Sequence, residues 1–237
     1  MPTSTNRVFL LHGLGSHPLT LWPMRLHLEH SGYSRVHALG YTVDTVPLED
    51  AVQEVSAQMM KICGSQREPV FVVGQSMGGL VANRLHNHGW QVARAVCIAS
   101  PLHGAKLLGT LHSWLPACVW NALDKEAYQT LRAKGREPAP PHPVSTISFG
   151  WGWSDFDGCV FVDEVVMRQD HHHHLAWADH RIGFVDPRLW RLVTADLDGT
   201  PPCSTVHNPT PTQMDYTTPA VCIWPSVRRP SRAPSPS

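Results

Sequence analysis

A serine set among glycines, Gly74-Gln75-Ser76-Met77-Gly78-Gly79, follows the apolar run Pro69-Val70-Phe71-Val72-Val73 and precedes a helix-like stretch from Leu80 to His88. Strand, sharp turn and helix in that order lift a serine hydroxyl clear of a sheet, where it can act as a nucleophile. The glycines belong to the same argument, because side chains there would collide with the neighbouring strand and helix. A bare G-x-S-x-G match is common by chance; its setting here gives it weight.

A serine is a weak nucleophile until a base, usually a histidine held by a carboxylate, takes its proton. The stretch Pro143 to Phe149 reads as a strand, and the turn-rich segment Gly150 to Val160 after it holds Asp155 and Asp157. Either could be the acid. Asp157 is preferred because Asp-Gly starts a tight turn that lets the carboxylate point back across the sheet end; Glu164 is a third candidate. His180, in Trp177-Ala178-Asp179-His180, is the preferred base, since it lies shortly before the last helical segment.

Its rivals are His171 to His174, of which His174 is best placed. Four consecutive histidines point in different directions along any extended or helical chain, so they do not all converge on one serine. A metal centre demands converging ligands, usually with a carboxylate or cysteine. A polar surface strand or loop is the plainer reading, and no metal or other cofactor is expected.

Hydrolysis at a carbonyl also requires donors for an oxyanion. Met77 offers its backbone N–H at the start of a helix whose dipole favours negative charge. The second donor is expected in the loop after the first strand, Leu11-His12-Gly13-Leu14-Gly15, from the N–H of Leu14. His12, placed at a strand end, reads as a residue that shapes this loop.

The elements that must position these groups alternate along the chain. Strands are expected at Val8 to Leu11, Val36 to Tyr41, Val70 to Val73, Val92 to Ala99 and Pro143 to Phe149. Helices are expected at Leu19 to His30, broken early by Pro23, and at Leu48 to Cys63 and Pro187 to Leu197, the last two each with an apolar face. Such alternation implies right-handed crossovers and a mainly parallel sheet covered by helices on both faces. The segment from Leu102 to His142 interrupts the rhythm and reads either as a small cap over the site or as plain crossover helices. Beyond residue 198 the chain becomes rich in Pro, Ser and Thr, so residues 199–237 are expected to form a disordered tail after a domain of residues 1–198.

Composition excludes several other classes. Residues are 42% hydrophobic and 16% charged with a formal net charge of zero, so nothing points to nucleic acid or to acidic membranes. The six cysteines show no zinc-like spacing, and only Cys203 and Cys222 suggest a pair. No apolar run approaches the ~18 residues of a membrane span. The four apolar residues after Arg7 are too few for a signal peptide, so a cytoplasmic location is expected.

On the loop His12-Gly13-Leu14-Gly15, the elbow around Ser76 and the pair Asp157 and His180, the chain resembles the lipase and esterase branch of the α/β-hydrolase family, most closely compact lipases with little or no cap. In those the elbow commonly reads G-H-S-M-G-G; here Gln75 stands at the histidine position, a change expected to affect packing more than chemistry. Asp157-Gly158-Cys159-Val160 and Ala99-Ser100-Pro101-Leu102-His103-Gly104 also look like lipase segments. The resemblance covers about residues 7 to 198. It implies hydrolysis of small acyl esters or lipids through an acyl-enzyme on Ser76, with Leu102, Leu107, Leu108 and Trp114 as an apolar acyl site. Thioester hydrolysis and acyl transfer use the same groups. A catalytically silent binding module is the reading from another class, and it would be expected to lack one of the three.

Overall fold

The structure, a computed structural model, describes residues 7–42, 46–104, 139–151, 154–166, 171–180 and 183–199. Leu107, Leu108, Trp114, the expected cap and all of the tail after Gly199 lie outside the described residues.

Six strands form one sheet: β1 (Arg7–Leu11), β2 (Val36–Leu39), β3 (Val70–Gln75), β4 (Val92–Ile98), β5 (Val144–Gly150) and β6 (His172–Ala176). Their order is β2-β1-β3-β4-β5-β6, and every neighbouring pair is parallel. β3, which carries the serine, therefore lies inside the sheet, and its Val70, Val72 and Val73 are buried with Val8 to Leu11 of β1 and Ala95 to Ile98 of β4. Sheets covered on both faces need such near-continuous apolar strands.

Helices α1 (Trp22–His30), α2 (Leu48–Cys63), α3 (Met77–Arg84), α4 (Val162–Val165) and α5 (Pro187–Leu197) fill the connections. α1 packs against α5, with His27 Nε2 and Thr194 Oγ1 3.1 Å apart, while α2 packs against α3. Pro23 does not break the first helix as its position suggested. It is the second residue of α1, after a short 3-10 turn over Pro18–Leu21. Proline there costs no hydrogen bond, because the first N–H groups of a helix have no intrahelical acceptor.

β6 was not legible as a strand from an apolar pattern. Its residues pair with β5 from Thr146↔His172 to Gly150↔Ala176; His173 turns inward, His172 and His174 are half-buried, and His171 just before the strand is exposed. His173 is buried, and its Nε2 is 3.0 Å from Asp196 Oδ1 of α5, which is also buried. On the opposite face His172 lies between Thr146 Oγ1 (2.9 Å from Nδ1) and Ser148 Oγ (3.1 Å from Nε2), and Ser148 Oγ is 3.0 Å from His174 Nδ1. These hydrogen bonds satisfy polar groups that would otherwise be stranded beside the core. Among the described residues no cluster of three or more side chains could hold a metal ion, and no helix is long and apolar enough to cross a membrane.

Among the described glycines, those of the elbow approach neighbouring backbone very closely. A Cβ on Gly74 would sit 2.3 Å from Gly78 O, and one on Gly78 would sit 2.4 Å from Leu11 O and 2.7 Å from His12 O. Neither neighbour is a flexible side chain that can step aside. Gly78→Ala is expected to destabilise the fold by about 1–3 kcal/mol, with a lower Tm in a thermal melt.

A second prediction concerns acid. Burial first, with His174 and His173 adding repulsion, pushes His172 down from 6.5 to about 4. The folded chain thus binds fewer protons than the unfolded chain between those values, so this contribution is fully present above about pH 6.5 and is lost as pH falls toward 4. The unfolding free energy in urea is expected to drop by up to about 3 kcal/mol from this group across that window. His172→Gln should flatten the slope; an unchanged slope would count against the assignment.

Candidate active site

Ser76 stands between β3 and α3 at φ 50° and ψ −120°. That left-handed region is unfavourable for a residue with a side chain, and a non-glycine held there is usually over-determined by its surroundings. Here the Ser76 N–H donates to Ile98 O of β4 (2.8 Å), and Gly79 N–H donates to Ser76 O (3.0 Å). Gly74 and Gly78 then let strand, turn and helix close up around it. The result is a half-buried hydroxyl projecting from the carboxyl end of the sheet.

His180 arrives from β6. Trp177, at φ 61°, turns the chain off the strand, and its N–H donates to Gly150 O (2.7 Å). His180 N–H donates to Asp157 O (3.0 Å), so the two loops are joined through backbone before any side chain meets. His180 Nε2 lies 3.1 Å from Ser76 Oγ, and Nδ1 lies 2.7 Å from Asp157 Oδ2. With Nδ1–H donating a hydrogen bond to the carboxylate, Nε2 is left to accept the serine proton.

Asp157 is buried, and its second oxygen is fully used. Oδ1 accepts from Cys159 N–H (2.8 Å) and Val160 N–H (2.7 Å), while Asp157 N–H donates to Val160 O (3.2 Å). Gly158, at φ 98°, makes this turn possible. The turn aims Oδ2 at the imidazole and resists rotation of the carboxylate. Neither of the other acid candidates hydrogen-bonds His180. Asp155 is exposed and accepts Val162 N–H on its backbone oxygen (2.8 Å), while the Glu164 carboxylate accepts Phe161 N–H (2.8 Å) at the start of α4.

Ser148, His172 and His174 also form a hydrogen-bonded serine–histidine group, but of another kind. Ser148 is buried inside β5, not on a turn, and both imidazoles touch it from the neighbouring strand. Burial lowers the proton affinity of His174, with Asp155 acting in the opposite direction. His174 bonds to Ser148 and is not brought to Ser76.

The loop after β1 is built around a single peptide plane. The Gly13 carbonyl accepts from His12 Nδ1 (3.0 Å) and from Ser16 N–H (3.2 Å). Gly13 O and Leu14 N–H belong to the same trans peptide, so holding the oxygen on one side presents the N–H on the other. His12 is itself buried, stacked on Tyr41 with ring centroids 4.6 Å apart, and its carbonyl accepts from the Tyr41 hydroxyl (2.5 Å). A Cβ on Gly13 would lie 2.9 Å from Ser76 Cβ, which puts this loop directly beside the serine. Met77 opens α3 on the other side, and its N–H is one of the donors that a helix start leaves without an intrahelical acceptor.

Of the apolar residues expected to hold an acyl chain, only Leu102 is described. It is fully buried and belongs to the hydrophobic core. The residue that sequence reasoning undervalued is Gln75. Its buried carboxamide accepts from Gly13 N–H (3.3 Å) and donates to His180 O (3.5 Å), an arrangement that the G-x-S-x-G pattern does not encode.

Similarity to known proteins points the same way. The fold matches a lipase of Bacillus licheniformis with a TM-score of 0.65 at 17% identity, over 83% of this chain and 93% of that one. It also matches a monoacylglycerol lipase of Paleococcus ferrophilus (TM-score 0.56, 16% identity, 82% and 94% covered) and an esterase of a Rhodococcus species (TM-score 0.56, 16% identity, 84% and 92% covered). No curated protein matches the chain by sequence. At such identities the likeness is one of fold. The sequence model of the alpha/beta hydrolase family matches residues 8–231, nearly the whole length. The chain belongs to the alpha/beta hydrolase family.

Proposed function

We propose that this protein is a serine hydrolase that cleaves carboxylic esters of small acyl or lipid substrates, with Ser76 as nucleophile, His180 as base and Asp157 as the acid that orients it. The observation that supports this reading best is the unbroken hydrogen-bonded chain from Asp157 Oδ2 through His180 to Ser76 Oγ, with the serine on a strained turn. The lipase and esterase names of the similar structures favour an ester as substrate.

The steps follow from the geometry. Ser76 Oγ attacks the ester carbonyl as its proton passes to His180 Nε2. Asp157 stabilises the imidazolium, and the N–H groups of Met77 and Leu14 receive the oxyanion, each worth about 3 kcal/mol in sites of this kind. His180 then protonates the leaving alcohol, which leaves the acyl group on Ser76. Water, deprotonated by the same histidine, attacks the acyl-enzyme and frees the acid. Every step is a proton or acyl transfer, so side chains and backbone donors suffice. A thioester substrate, or an alcohol in place of the water, would use the same groups.

Two measurements test the proposal. A fluorophosphonate probe is expected to label the wild-type protein and not Ser76→Ala; labelling that persists in the variant, or is absent from both folded proteins, would overturn it. On a short-chain ester, Asp157→Asn is expected to lower kcat by about 10³–10⁴-fold, because the amide favours the wrong tautomer of the base. Asp155→Asn should leave kcat within a small factor, and equal losses in the two variants would remove the assignment of Asp157.

A further inference from the structure

Gln75 precedes the nucleophile and is buried, so it has no path to a substrate of its own. Its carboxamide nevertheless touches two separate loops. Oε1 accepts from Gly13 N–H at 3.3 Å, and Nε2 donates to His180 O at 3.5 Å. The partners settle the orientation of the amide, since an N–H demands an acceptor and a carbonyl demands a donor. Gly13 lies immediately before Leu14, and the Gln75 Cδ is 3.5 Å from where a Gly13 Cβ would be.

On the reading of Ser76, His180 and Asp157 as a triad, we propose that Gln75 is a positioning residue that holds the oxyanion loop and the base loop at a fixed distance across the nucleophile. Each loop also has backbone anchors of its own. Gly13 O is held by His12 and Ser16, whereas His180 N–H is held by Asp157 O. Gln75 hydrogen-bonds the backbone of both, and it lies next to Ser76 in the chain, so all three parts share one reference point. Its length and its donor–acceptor pair are both needed. Glutamate keeps the acceptor for Gly13 and loses the donor for His180, while methionine keeps the volume and loses both.

Positioning of this kind acts on the transition state. A buried residue that fixes an oxyanion donor and a base leaves ground-state binding untouched, so its loss falls on kcat and spares KM. Gln75→Met and Gln75→Glu, both of near-native volume, are therefore compared with wild type on a short-chain ester and in the rate of fluorophosphonate labelling, with thermal melts confirming that each is folded. Both are expected to lose about tenfold to hundredfold in kcat, the scale of a misplaced catalytic group, with KM little changed and labelling slowed in parallel. A kcat close to wild type in the folded variants, or a change in KM alone, would overturn the proposal and reduce Gln75 to packing. If one variant does not fold, the other carries the test. Failure of the underlying triad is distinguishable, because wild type itself would then show no Ser76-dependent labelling.

Discussion

The backbone at Ser76 sits where a residue with a side chain costs free energy, and the rest of the structure is arranged to hold it there. Three chain segments are pressed together to do so: the end of β1, the end of β3 and the first turn of α3. Gly78 is the contact point, with no room for a methyl group beneath the Leu11 and His12 carbonyls. One close approach therefore serves two purposes. It stabilises the strained turn, and it places the loop carrying Leu14 alongside the serine.

Much of the fold was legible because the forces that make it leave periodic traces. The bounds of α2 and α5 follow their apolar faces from Leu48 to Cys63 and from Pro187 to Leu197. β1, β3 and β4 read as strands because both faces of an inner strand are buried in apolar material. β6 left no such trace. Its burial is achieved by hydrogen bonds, from His173 to Asp196 on one face and from His172 and His174 to Thr146 and Ser148 on the other. A hydropathy pattern registers only the polarity of those histidines and not the partners that will satisfy them. Pro23 was misread for a related reason, since its effect on a helix depends on which turn it occupies.

The site was legible in proportion to how local its determinants are. Ser76 and its glycines lie within one turn, and Asp157-Gly158 announces the turn that presents its carboxylate. The pairing of Asp157 with His180 spans two loops, but strand order limits the candidates. Gln75 reads as a packing residue from sequence because its hydrogen bonds are to residues distant in the chain, Gly13 and His180. Leu102 shows the converse: an apolar residue near a motif is as compatible with the core as with a pocket, and here it is core.

In an all-parallel sheet the chain must cross over between every two consecutive strands. The proposed chemistry resides in tight turns at the strand ends, where Gly74 and Gly78 have no room for a side chain. The crossover between Ile98 and Val144 lies at a strand end too, yet none of the hydrogen bonds joining Ser76, His180 and Asp157 passes through it. Lengthening a flexible connection is thermodynamically cheap, about 0.6 kcal/mol for each doubling. The hydrogen bonds that join Ser76, His180 and Asp157 are thus confined to short turns, and a change of length between Ile98 and Val144 would leave every one of them in place.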